Sequence, residues 1–184
     1  MGNSDTETFS GAVASAYEES AKQAGHEVKR INIGSLQFDP VLHKGYKEIQ
    51  SLESDLVRVQ EMWNWADHVV IVYPSWWCGM PAILKGLFDR MFLPGFAFNF
   101  DKTTKKVVQR LKGKTARVIV LIGTSTPFMA WFKYGDFAND ILYGILGFSG
   151  MKAKMTAFGP CDKVSDATRK KWIQKVEKLG EKGG

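Results

Sequence analysis

The stretch Tyr73-Pro-Ser-Trp-Trp-Cys-Gly-Met80 places two indoles side by side directly after the β-branched run Val69–Tyr73. Indole is a poor loop residue unless something flat lies against it. Trp76 and Trp77 offer broad apolar faces with one N–H each, and Gly79 lets backbone approach a ligand closely. A second stretch, NSDTETFSG from Asn3 to Gly11, is rich in hydroxyls and runs straight into a helix. Unpaired N–H groups at a helix start, with the hydroxyls of Thr8 and Ser10, suit a phosphate. A third, GTSTPF from Gly123 to Phe128, again supplies hydroxyls and a turn-forming proline. Each has a plainer explanation alone: an N-cap, an indole packing or oligomer contact, a turn. Together they suit a phosphorylated aromatic cofactor, with no Gly-rich dinucleotide fingerprint and no Walker pattern.

These loops need elements to hold them. The spacing predicts helices over Ser10–Ala24, over 51–68 with Leu52, Leu56, Val59 and Trp63 inward, and after Pro81 with Ile83, Leu84, Leu87, Phe88 and Met91. It predicts two more, around Phe137–Phe148 and after Ser165 as N-cap. Strands are expected at His26–Ile33, Val69–Tyr73, Arg117–Gly123 and Lys152–Gly159. A long polar connection precedes Arg117. Alternation of this kind means an α/β doubly wound parallel sheet in three layers, one domain over residues 1–184. Ligands of such sheets bind outside the carboxyl ends of the strands, where Pro74–Gly79 and Gly123–Phe128 fall.

An alternating fold that starts on a helix is odd, because open sheets of this type begin with a central strand. Losing that strand removes about five buried apolar side chains at about 1.5–3 kcal/mol each. The expectation is therefore that the first strand of the fold is missing from this chain.

Composition narrows the function. The 184 residues are 45% hydrophobic, enough for a sizeable core, with no apolar run of membrane-spanning length and no secretory leader. Two cysteines and three scattered histidines give neither a disulfide framework nor a metal cluster, so a reducing cytoplasm is the expected compartment. Residues 1–100 carry 8 Lys/Arg against 12 Asp/Glu, and residues 101–184 carry 17 against 7. The basic half has no nucleic-acid recognition motif and reads as a solvated helix face.

The run YPSWWCGMPAILKGLFDRMFLPGFAFNF, Tyr73 to Phe100, resembles the signature of the flavodoxin-like NAD(P)H:quinone oxidoreductases: aromatic-Pro-x-x-Trp-x-Gly-x-Pro-Ala-x-x-Lys-Gly followed by Gly-Phe-Ala-aromatic. The resemblance extends through TFSGAVASAY, AGHEVKRINI and FDPVL to the last helix. It implies a flavodoxin-like fold, a homodimer, and FMN or FAD with NAD(P)H as co-substrate. It implies ping-pong two-electron hydride transfer to a quinone or similar small-molecule acceptor. By the same resemblance Thr8, Phe9 and Ser10 hold the phosphate; Pro74, Ser75, Trp76, Trp77 and Cys78 line the ring; and Thr124, Ser125 and Thr126 close its other side. Phe96 and Phe98 would form the aromatic wall for substrate.

The chain departs from the family at Cys78, which replaces a glycine or aromatic and reads most simply as a small buried hydrophobe. It also lacks the Gly-Gly and Tyr/His pair after the third loop, so no catalytic general acid is assigned, and Tyr134 reads as structural. Lys85 and Asp89 are expected to pair on one helix face. The alternatives are a flavodoxin-type electron carrier, which is usually acidic whereas this pI is about 9.3, or a flavin-binding regulatory subunit of a transporter.

Overall fold

The computed structural model describes residues 1–134 and 138–183. In chain order these form α1 (Phe9–Gln23), α2 (Ser54–Trp65), β1 (His68–Ser75), α3 (Ala82–Met91), β2 (Phe98–Phe100) and β3 (Val107–Gln109). There follow β4 (Thr115–Ile122), α4 (Pro127–Tyr134), a π-helical segment (Asp140–Gly147), β5 (Lys152–Phe158) and α5 (Asp166–Glu181). No helix among the described residues is long and apolar enough to cross a membrane.

The β-branched runs do what their composition requires. β1 and β4 pair in parallel, Val70 opposite Arg117 and Val72 opposite Ile119, and β5 pairs in parallel on the far side of β4. The sheet order is β1-β4-β5. Central β4 is buried from Ala116 to Ile122. On one face Val118 and Val120 meet Leu56, Val59, Trp63, Leu84 and Phe88 of α2 and α3. On the other, Ile119 and Leu121 meet Val13 and Tyr17 of α1 and Val176 of α5. Gly180 makes that second layer thin: a Cβ there would stand 2.1 Å from Ser20 Oγ. Three layers follow, with helices on both faces of a flavodoxin-like parallel sheet.

Four features differ from the sequence reading. His26–Ile33 is not a sheet strand; it runs beside the sheet and, among the described residues, makes ladder-like bonds only with Met1. Strand character needs a partner about 4.8 Å away, and between this segment and β1 only Met1 and Gly2 intervene. The polar connection contains the hairpin β2–β3, whose turn is set by Asp101 Oδ1 accepting from the Thr103 and Thr104 N–H groups. Pro127 and Phe128 begin α4 rather than closing a turn. The helix expected around Phe137–Phe148 is π-helical over Asp140–Gly147, and Phe137 lies outside the described residues.

Arg90 was legible only as one polar residue on an apolar helix. It is wholly buried, and its guanidinium donates to both carboxylate oxygens of Glu53 (3.1 and 3.0 Å), to Ser51 O (2.9 Å) and to Asp39 O. One cation thereby fastens the whole connection between residues 39 and 53 to α3. Lys85 and Asp89 pair as expected, at 2.6 and 2.8 Å on the exposed face.

Candidate functional site at the carboxyl rim of the sheet

β1 and β4 end level with each other, Ser75 opposite Ile122. The segments that follow them therefore emerge side by side. Asn3–Thr8 joins them, because Gly2 N–H donates to Val72 O (2.8 Å) and so delivers that loop to the same rim.

Trp76–Gly79 is a tight turn closed by two bonds, Trp76 N–H to Gly79 O (2.9 Å) and Gly79 N–H to Trp76 O (3.0 Å). Its central residues, Trp77 and Cys78, have φ of 52° and 63°. A turn with positive φ at both central positions ordinarily carries Asn-Gly, and a side chain in that region costs roughly 1–2 kcal/mol per residue. The strain displays Trp77, which is 99% exposed, with Trp76 half-exposed beside it. The N–H groups of Trp77 and Cys78 take no part in the bonds that close the turn. Cys78 is exposed and not the small buried hydrophobe its type suggested.

The α1 end is built by close backbone approach. Thr8 is the N-cap, its Oγ1 accepting from Gly11 N–H (3.4 Å) and from Asn3 Nδ2 (3.2 Å). A Cβ on Gly11 would lie 1.9 Å from Thr6 O, and one on Gly34 would lie 1.9 Å from Ser4 O. Two glycines thus let the loop lie flat on α1 and on the residue 34 turn. The first N–H groups of α1 have no carbonyl partner within the helix and carry its positive dipole end. Ser10 is buried there, while the Phe9 ring turns away to pack 6.2 Å from Trp172.

The third loop is held from behind. Cys161 N–H donates to Ile122 O (2.8 Å) and Asp162 N–H to Gly123 O (3.0 Å), and a Cβ on Gly159 would stand 2.4 Å from Ser125 O. Thr124 and Thr126 are exposed, and Thr126 Oγ1 caps α4 by accepting from Met129 N–H (3.2 Å).

The fold therefore gathers Thr8, Ser10, Pro74, Ser75, Trp76, Trp77, Cys78, Thr124, Ser125 and Thr126 at one rim, with the Phe9 ring turned away from it. Phe96 and Phe98 do not present a wall: both rings are turned into the core, Phe96 edge-on to Phe92 (5.7 Å) and Phe98 edge-on to Phe148 (5.0 Å). Phe100, two residues further along β2, is exposed instead. Arg169 was missed. Its guanidinium sits 5.7 Å from the Phe9 ring centre at the head of α1, held by Cys161 O, with a buried Nε that has no partner among the described residues. In sequence it is one of many bases on the last helix, and only α5 packing on α1 singles it out.

The two thiols differ sharply. Burial, with the Asp162 carboxylate beside it, pushes the Cys161 thiol up to about 11. An aromatic disulfide reagent at pH 7.5 is expected to modify Cys78 at least about tenfold faster than Cys161, since Cys78 is exposed and the Cys161 thiolate, the form that would react, is disfavoured. Cys78→Ser should abolish the fast phase; a fast phase that survives it contradicts this placement.

The chain matches the family described as having a flavodoxin-like fold over residues 1–179. It is 27% identical over 179 residues to an uncharacterized NAD(P)H oxidoreductase of Haemophilus influenzae, covering 91% of this chain and 84% of that one. It is 28% identical over 177 residues to NAD(P)H dehydrogenase (quinone) 1 of Rattus norvegicus, covering 83% of this chain. The match spans 64% of the rat enzyme's own length. The crystal structure of Smu.1420 from Streptococcus mutans UA159 superposes with a TM-score of 0.82 at 26% identity, covering 98% of this chain and 95% of that one. Matched to that family over residues 1–179, the chain belongs to the flavodoxin-like family that includes the NAD(P)H:quinone oxidoreductases.

Proposed function

We propose that this chain is a flavin-dependent NAD(P)H:acceptor oxidoreductase that passes two electrons to a quinone or similar small molecule and works as a homodimer. The observation that carries the reading is the strained Trp77-Cys78 turn. Backbone strain of this kind persists where the surroundings over-determine it, and it clusters at ligand sites. Here it projects two indoles and two uncommitted N–H groups from the sheet rim, beside a helix N-terminus seated by Gly11 and Gly34.

FMN or FAD fits these groups. Its phosphate would meet the first N–H groups of α1 and Thr8, with Arg169 adding positive charge nearby. Its ring would lie along Pro74–Cys78, closed from the other side by Thr124–Thr126. The flavin, when bound, supplies the redox chemistry linking nicotinamide to quinone. The chain's residues hold that ring in place, and the indoles keep water from its apolar side. The Trp77 and Cys78 N–H groups are donors suited to the edge where negative charge grows on reduction. The dimer reading rests on α4, whose Phe128, Trp131 and Phe132 are 68%, 62% and 74% exposed next to the third loop. A patch of this kind marks an interface, and sedimentation equilibrium reads it directly.

Anaerobic mixing tests the activity. Bleaching of the flavin band at ~450 nm by NADH or NADPH, then recovery with a quinone, is expected. A coloured protein inert to both would make it a carrier or regulatory subunit instead. The turn has its own test. Replacing Trp77-Cys78 by Asn-Gly should raise the unfolding free energy by about 1 kcal/mol, because the new pair adopts positive φ without strain. The same double variant should bind flavin more weakly. A variant that is less stable, or that holds flavin as tightly, contradicts the role given to the turn.

A further inference from the structure

Arg117 stands third in β4, on the face that meets α1 and α5, and only 8% of it is exposed. Ile119 and Leu121 continue that face as apolar core. A buried guanidinium ordinarily has a carboxylate against it, as Arg90 has Glu53. Among the described residues Arg117 has none. Its one hydrogen bond is long, from Nη1 to the buried Thr156 Oγ1 (3.4 Å), and its Nε is buried with no partner there. The Nε–Nη2 edge, which forks onto two oxygens of a carboxylate or phosphate, is therefore unused.

Two more polar atoms end without a partner among the described residues in the same region. Tyr17 of α1 is buried with its hydroxyl unbonded. His68, which pairs with Thr115 two residues before Arg117, has a buried and unbonded Nε2, while its Nδ1 meets Thr115 Oγ1 (2.7 Å). The Arg117 charge acts on both side chains. Burial raises the Tyr17 phenol and Arg117 opposes that rise. Burial lowers the His68 imidazole, and Arg117, His26 and Lys154 all push it the same way. Lys154 lies opposite Arg117 on β5 and is exposed. Arg117, His26, His68 and Lys154 thus gather at the amino end of the sheet without a paired carboxylate.

We infer that Arg117 anchors a binding site for a small oxyanion, phosphate or carboxylate in class, held by the free Nε–Nη2 edge with the Tyr17 hydroxyl donating beside it. A water molecule there would accept from Nε but leave the buried charge unneutralised; an anion does both. The half-buried His68 and the exposed Lys154 stand toward solvent and draw the ion in. The site is separate from the rim. Arg117 and Ile122, at the two ends of β4, are five residues apart at about 3.3 Å each, about 16 Å.

The test adds inorganic phosphate up to about 10 mM, ionic strength being held constant with chloride, to the parent, Arg117→Met, Arg117→Lys and Tyr17→Phe. Expected in the parent is a saturable rise in Tm of about 3 °C or more, as about a tenfold excess over Kd produces in a chain of this length. Arg117→Met should lose the rise, yet melt no lower than the parent without phosphate, because apolar atoms replace a buried charge that had no partner. Arg117→Lys keeps the charge without the fork, so its half-saturating phosphate should be at least about tenfold higher, and about fivefold higher in Tyr17→Phe. Arginine Nε–H resonances read the contact directly: one that is absent from Arg117→Lys should shift in the parent along the same saturation curve. No rise in the parent would overturn the inference and leave water as the partner. An equal rise in Arg117→Met would overturn it and place the ion elsewhere. An Arg117→Met protein that melts well below the parent without phosphate would overturn it too, since the guanidinium would already be satisfied. Phosphate taken up at the head of α1 shifts the parent and Arg117→Met alike, so the difference between them is independent of the function proposed above.

Discussion

Replacing Gly11 by alanine is expected to weaken flavin binding by at least about tenfold, a change worth about 1.4 kcal/mol, at a small cost to the fold. The local helix preference favours alanine by about 1 kcal/mol. Against this, the added Cβ would sit 1.9 Å from Thr6 O and 2.9 Å from Thr6 C, both backbone atoms. Ordinary contact begins near 3.4 Å, so the Asp5–Thr8 backbone must move by more than an ångström. Overpacking of this kind typically costs about 1–3 kcal/mol. Overpacking therefore outweighs the helix preference, leaving a small net loss of stability, and the displacement falls on the loop that would meet the phosphate. Thr8→Ala should do less, removing one hydroxyl from the phosphate contact and a cap worth about 1 kcal/mol without displacing the backbone. Calorimetric titration with FMN and FAD checks both, and a Gly11→Ala protein that binds as tightly as the parent would remove the α1 end from the site.

Replacing Arg90 by leucine should cost about 3 kcal/mol, the lower end of what removing one partner of a buried pair costs. The lower end applies because the Glu53 side chain left behind is one-third exposed and can rehydrate. For a chain of this length that is a fall in Tm of about 6–12 °C. Limited proteolysis should then cut between residues 39 and 53, where Arg90 holds two carbonyls and a carboxylate. The pH dependence has a definite sign. Burial alone would raise the Glu53 carboxyl, but the Arg90 hydrogen bonds, the Asp39 amide and the Arg90 charge outweigh it and hold the group below its usual range. Such a group contributes stability above its unfolded pKa of about 4.3 and loses it as pH falls through the lower folded value. The gap between parent and Arg90→Leu should therefore narrow below about pH 4. A gap independent of pH would show that the guanidinium acts through packing alone.

Much of this architecture was visible in the residues. Val69–Tyr73 and Arg117–Ile122 are β-branched runs that only a sheet covered on both faces explains, and they pair in register. Topology alone places the hydroxyl and indole loops at the rim. What escaped the sequence depended on partners distant in the chain. His26–Ile33 has strand composition, yet strand pairing belongs to a pair, and its neighbour there is two residues long. Phe96 and Phe98 share a motif with exposed rings, but their orientation is set by Phe92 and Phe148. Pro127 reads as a turn former or a helix start by type alone, and the Thr126 cap decides it. Cys78 looked like a core thiol because nothing local announces a positive φ on a residue other than glycine. Arg90 and Arg169 were two bases among 25, and only helix packing shows that one is a clamp and the other stands at the head of α1.

The central claim is that the rim clasps a planar ring through Trp76–Cys78 and its phosphate through α1. Titrating the protein with FMN and with riboflavin, while following tryptophan fluorescence, tests both halves at once. The account predicts quenching that Trp76→Ala and Trp77→Ala diminish, with FMN bound at least about tenfold more tightly than riboflavin, roughly the contribution of a charge-assisted phosphate contact. Equal affinity for the two, or quenching unchanged in both tryptophan variants, would contradict it.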